Sequence, residues 1–151
     1  MIILDKFKRL WKYYIFQSAL AGVAIFIIVL VFQDSFVVIA SMGATAFISF
    51  ALPKNVSART KHVIGGHLVG LACGTIFTLT AMPNYAEFPL AVSLAIFFMV
   101  ALDVEHPPAA GSALAVVINE VTLNGAVAII LSALVITQCR YLMRNVLKDL
   151  I

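Results

Sequence analysis

Charge is scarce in this chain. Asp, Glu, Lys and Arg make up 11% of its 151 residues, and 63% are hydrophobic, where a soluble domain has about a quarter charged and half apolar. With a mean hydropathy of +1.08, the composition excludes a soluble domain and points to an integral membrane protein. No separate soluble domain fits beside the spans, so residues 1–151 read as a single transmembrane domain. Cysteine is nearly absent. Cys73 and Cys139 lie far apart in apolar segments and read as small packing residues, not a disulfide framework. Three histidines with no cysteine cluster at ligand spacing offer no metal site. No nucleophile–base pair and no phosphate loop appears, so neither an enzyme nor a cofactor is expected. The ten basic residues outnumber seven acids. They sit at span ends, where topology accounts for them without nucleic acid.

Long apolar runs divide the rest. Residues 1–12 carry Lys6, Lys8, Arg9 and Lys12 and read as a basic amphipathic lead-in at the membrane surface, anchored by Trp11, Tyr13 and Tyr14. The run after it is long enough to stay in the bilayer, so no cleavable signal peptide is expected. Spans are expected at Tyr13–Phe32, Phe36–Leu52, His62–Met82, Phe88–Leu102 and Gly125–Cys139. The connections are Gln33–Ser35, a basic loop Pro53–Lys61, a loop Pro83–Pro89 and a polar loop Asn119–Asn124. Residues 140–151 form a basic tail.

Between the fourth and last spans lies Asp103–Asn119, DVEHPPAAGSALAVVIN. Proline suits the first helical turn, because its φ is preset and its missing N–H has no partner there. The residue before it is driven out of the α region. The spacing therefore predicts a helix ending near Leu102, a break at Asp103–His106 and a new helix over Pro107–Ile118. The Lys and Arg residues fall at the N-terminus, in the Pro53–Lys61 loop and at the C-terminus. All three are cytoplasmic only if the Pro107 helix also crosses. A dozen residues supply only ~18 Å of a ~30 Å core. The expectation is an all-α bundle of about six crossing helices, one short and broken, with both termini cytoplasmic. Five spans plus a re-entrant helix is the alternative.

Broken helices in membranes expose backbone groups that only protein or a water-filled cavity can satisfy, so the break is the expected functional centre. Ala109, Ala110, Gly111 and Ser112, after Pro107 and Pro108, would present free N–H groups and a positive dipole end to an anion. His106 could carry a proton or face the anion, or simply orient the break. Asp103 and Glu105 are explained by the helix dipole or serve as a charge relay. Glu105 would repel an anion unless protonated or paired with His106 or His67, and a proton-coupled mechanism would relieve that repulsion. Ser41, Gly43 and Thr45 form a second small, polar stretch. His67 either faces His106 or bonds a neighbouring carbonyl. Gly66, Gly70 and Gly74 share one helix face and suit close packing, within the chain or between copies.

Three ordered blocks, SMGATAFISFALPKN (Ser41–Asn55), KHVIGGHLVGLACG (Lys61–Gly74) and EHPPAAGSAL (Glu105–Leu114), together resemble the HPP family of integral membrane proteins, named for His-Pro-Pro. The resemblance implies a small helical membrane protein. Plastid and cyanobacterial members are associated with nitrite transport, so transport of a small anion, nitrite, across a bacterial inner membrane is expected, by a multi-pass homo-oligomer. The alternative is a non-transporting scaffold or sensor subunit that docks a partner on its glycine face.

Overall fold

The computed structural model describes residues 2–31, 36–80, 82–119 and 123–151. The fold is all-helical, with six α-helices: α1 Ile2–Val31, α2 Phe36–Ala51, α3 Thr60–Thr78, α4 Asn84–Ala101, α5 Pro108–Ile118 and α6 Leu123–Met143. A short 3₁₀ turn at Val56–Ala58 joins α2 to α3. Among the described residues, three stretches are long and apolar enough to cross a membrane: Leu4–Val31, Asn84–Ala101 and Leu123–Met143. Val38–Ala51 and Pro108–Ile118 are apolar but shorter. The connection at Gln33–Ser35 and residues 120–122 of the Asn119–Asn124 loop lie outside the described residues.

Besides the early end of α3, at Thr78 instead of Met82, three expected boundaries shift. The lead-in and first span are one continuous helix of 30 residues, because no Gly, Pro or capping residue separates them. The fourth span begins at Asn84, with Pro83 in the capping position and Pro89 inside the helix. Pro89 removes the hydrogen bond that would reach the Tyr85 carbonyl, a loss that one missing N–H near a helix start can tolerate. Glu87, expected in a loop, lies in the first turn of α4, where the helix dipole favours an acid. The third shift is at the tail. α6 runs to Met143, and the chain then folds back with Leu147 and Leu150 buried.

That tail closes the end of α2. The last carbonyls of a helix have no partner within it. Here the Phe50 carbonyl accepts from Gln17, the Ala51 carbonyl from the Leu150 N–H at 2.9 Å, and the Pro53 carbonyl from Arg140. Gln17 also exchanges two hydrogen bonds of 2.9 Å with the Lys148 backbone. One end of the bundle therefore gathers the Pro53–Lys61 loop, the break before α5 and the C-terminal tail.

The shortest helix is the central one. On one side Ala115 and Val116 join a core with Ala24 and Ile28 of α1, Met42, Ala46 and Phe50 of α2, and Ile129 and Ile136 of α6. On the other, Ala109 and Ala113 pack with Cys73 of α3, Ala95 and Met99 of α4, and Val104 of the break. A helix apolar all round belongs in such a position. Cys73 and Cys139 are free thiols packed in different clusters.

α3 and α5 run parallel and touch backbone to backbone along the glycine row. A Cβ on Gly66 would lie 2.7 Å from His106 Cβ; one on Gly70, 2.4 Å from the Ala109 carbonyl oxygen; one on Gly74, 2.6 Å from Val116 Cβ. The row thus serves packing inside the chain. The docking face that the scaffold alternative assumed is therefore taken up by α5. A Gly70→Ala substitution must push the two backbones apart and should cost about 1–3 kcal/mol. Gly43→Ala, which meets nothing within 4 Å, should be neutral or stabilise by up to ~1 kcal/mol through helix propensity. Thermal unfolding of both variants in one detergent checks the contrast.

Candidate functional site

The break alternates in and out. Asp103 is exposed, Val104 buried, Glu105 half-buried, His106 buried and Pro107 exposed, which is the period of extended chain. α5 begins at Pro108, with Pro107 in the capping position, one residue later than expected. Asp103 has φ 55°, in the left-handed region that Asp tolerates better than most residues. It turns the chain off the end of α4. Val104 and His106 then enter the surface that Gly65 and Gly66 leave open on α3.

Inside, five side chains from three helices and the break form one hydrogen-bonded cluster. Thr45 Oγ1 lies 3.0 Å from His67 Nε2 and 3.1 Å from His106 Nε2, and donates to the Ser41 carbonyl at 3.1 Å. His67 Nδ1 lies 2.8 Å from Ser112 Oγ, itself 3.0 Å from Ser41 Oγ. Ser41 donates to the Pro108 carbonyl at 2.7 Å, and His106 Nδ1 donates to the Ser57 carbonyl at 2.7 Å. The two imidazoles meet edge to face, 5.0 Å between centroids. Thr45, His67, His106 and Ser112 are 0% exposed. Ser41 and Thr45 come together with Ser112 and the two histidines, and His67 faces His106 instead of a bare carbonyl.

Other candidates fall elsewhere. Gly43 points away from the cluster, and Gly111 only touches Ser41 at 3.5 Å. The expected anion cradle is partly closed: the Ala109 N–H donates to the His106 carbonyl at 2.8 Å and the Ala110 N–H to the Pro107 carbonyl at 3.2 Å. The paired prolines wind the helix start into a tight turn that satisfies its own donors. Glu105 pairs with neither His106 nor His67. Its Oε2 lies 3.4 Å from His62 Nδ1, because the extended chain turns residue 105 to the side opposite 106. Asp103 bonds Lys61 at 2.5 Å, and this bond and charge hold its carboxyl below the usual carboxylate range. What stability the pair gives is present at neutral pH and lost as pH falls through that lowered value. Both groups are exposed, so it is small.

His62, Ser57 and Gln17 were not singled out in the sequence. His62 is 3% exposed and was visible only as a polar residue at a span start. The Ser57 carbonyl gives no side-chain signal at all.

A cleft of about 270 Å³ opens against the break, lined by Ile96, Met99 and Val100 of α4, by Glu105, His106 and Pro107, and by Ala110. His106 thus stands between the cleft and the inner cluster.

These features define a helical integral membrane protein with a polar centre at a helix broken by two prolines. Residues 7–149 match the family described as HPP, transmembrane region, and the chain belongs to that family. It is also similar to a transmembrane protein of Dictyostelium discoideum, 31% identical over 116 residues, a match that covers 66% of this chain and 41% of that protein. The chain thus spans less than half the length of that curated relative. No solved structure matches it.

Thr45→Val keeps the shape at the hub and removes its hydroxyl, leaving two ring nitrogens without a partner. The loss should be about 1–3 kcal/mol for each nitrogen left unbonded. Thr45→Ser keeps the hydroxyl and should cost ~1 kcal/mol, the value of one buried methyl. Denaturant unfolding of the two variants side by side measures the difference.

Proposed function

We propose that the chain carries a small monovalent anion across the membrane, and that the anion is nitrite, as the family resemblance implies. The observation that carries this reading is the polar cluster itself. Ionisable side chains deep in a membrane bundle are costly and mark pathways and relays. Here two imidazoles sit together behind a cleft, joined in one hydrogen-bonded cluster with three buried hydroxyls. The anion enters at the cleft beside Pro107 and Ala110, where the positive end of α5 and the His106 ring favour negative charge.

Hydrogen counting supports coupling to a proton. Seven hydrogen bonds join the cluster. With both imidazoles neutral there are five hydrogens to fill them, one on each of three hydroxyls and one on each ring. His67 has a hydroxyl at each ring nitrogen. Because a hydroxyl can turn from donor to acceptor, His67 takes a second proton by rotation of its neighbours alone. Two charged rings 5.0 Å apart would repel in this setting. One proton entering with one anion avoids that and keeps the centre neutral. The cleft lies at the surface of the chain between α4 and the break, and a second copy of the chain would cover it, so the working form is taken as a homo-oligomer. The basic loop, break and tail at one end of the bundle favour a cytoplasmic face there, in a bacterial inner membrane.

Nitrite uptake into liposomes holding the purified protein, with and without a proton gradient, tests this. Wild type should accumulate nitrite faster under an inward gradient. His67→Gln should lose the gradient dependence, and His106→Ala should lower uptake at least ~10-fold, the scale of a 1.4 kcal/mol effect. A folded wild type that moves none of nitrite, nitrate, formate or chloride would overturn the anion reading.

A further inference from the structure

On the outer side of the break, opposite the buried cluster, the fold gathers a second set of groups. His62 of α3, Asp103 and Glu105 each offer one ligand atom, and these atoms lie within 4.8 Å of one another. The geometry points to a divalent transition-metal site built from His62, Asp103 and Glu105.

The observation beyond clustered acids is His62. It is 3% exposed, and its Nδ1 is buried with no hydrogen-bond partner. The nearest acceptor is Glu105 Oε2 at 3.4 Å. A buried ring nitrogen without a partner is costly; this one lies beside the Glu105 carboxylate, and Asp103 brings a second carboxylate to the same cluster. One imidazole and two carboxylates suit Zn²⁺, Mn²⁺ or Co²⁺ better than Ca²⁺ or Mg²⁺, which prefer all-oxygen shells. Ligand atoms held about 2.0–2.2 Å from one tetrahedral metal lie roughly 3.3–3.6 Å from each other. His62 Nδ1 and Glu105 Oε2, 3.4 Å apart, already have that spacing, and the exposed Asp103 carboxylate, within 4.8 Å of them, completes the shell by closing in by up to about 1 Å. Three protein ligands leave the remaining positions to water.

The competing cation is the chain's own. Lys61 Nζ sits on Asp103 Oδ2 at 2.5 Å, with the lysine side chain 59% exposed. A metal must displace it, and the exposed lysine is free to swing into solvent. Occupancy would also cancel the negative charge of Glu105 in the cleft beside His106. Binding of the metal does not depend on the anion reading.

Titration of tag-free, detergent-solubilised full-length chain with Co²⁺ tests the site by visible d–d absorption and calorimetry. Saturable binding at one site is expected. His62→Gln, Asp103→Asn and Glu105→Gln should each weaken it at least ~10-fold. Lys61→Met, which removes the rival ammonium, should tighten it about fivefold, as one unit charge at ~4 Å in water implies. Unfolding curves establish that each variant is folded. Binding indifferent to all three ligand substitutions would overturn the site. So would a thiolate charge-transfer band placing Co²⁺ on Cys73 or Cys139, or no binding by both wild type and Lys61→Met at millimolar Co²⁺.

Discussion

Lipid offers no hydrogen bonds, so a polar group placed inside this bundle is costly unless the protein itself partners it, and the two imidazoles of the cluster are the largest such groups. The close approach of α3 to α5 meets that demand. It is close enough only because Gly66, Gly70 and Gly74 have no side chain toward α5. That contact sets the depth at which His67 faces Ser112 and the height at which His106 enters beside Thr45. A bulkier row would hold α5 away, and the imidazoles would each lose partners that nothing else in the bundle supplies.

The same demand explains the ends of the helices. The prolines at the start of α5 remove donors that would otherwise be orphaned, and the tight turn satisfies the next two. At the end of α2, three carbonyls are met by groups distant in sequence: Gln17, Leu150 and Arg140. The basic tail thus caps the end of α2. The helix that looks weakest by length, α5, is held most securely, because both halves of the core pack on it.

The break, the short helix and the glycine row were legible in the sequence, because each rests on local chemistry: proline's fixed φ, a count of apolar residues, a four-residue spacing. The pairing of Ser41, Thr45, His67 and Ser112 could be named as candidates but not as neighbours, since helix register is set by packing across the bundle. The partner of Glu105 was misjudged for a local reason. Extended chain sends residues 105 and 106 to opposite sides, so the histidine adjacent in sequence is the one it cannot reach. His62, more than forty positions away, is the one it meets. Pro89 misled in the other direction. Two prolines flank the start of α4, and it is the earlier one, Pro83, that marks it.

The alternation at the break has a functional consequence of its own. After the left-handed turn at Asp103, the three residues Val104–His106 separate two environments within one chain width. Val104 and His106 face the packed interior, while Asp103 and Glu105 face outward to Lys61 and His62. A helix through this point would spread its side chains over every direction and mix the acids with the imidazoles. The prolines prevent that by forbidding helix before them. The outer carboxylates can therefore change partners, from ammonium to imidazole or to a metal, without breaking a hydrogen bond of the inner cluster. Their charge is still felt in the cleft, because Glu105 and His106 both line it. Charge in the cleft and hydrogen bonding in the cluster are thus adjustable separately, although adjacent residues supply them.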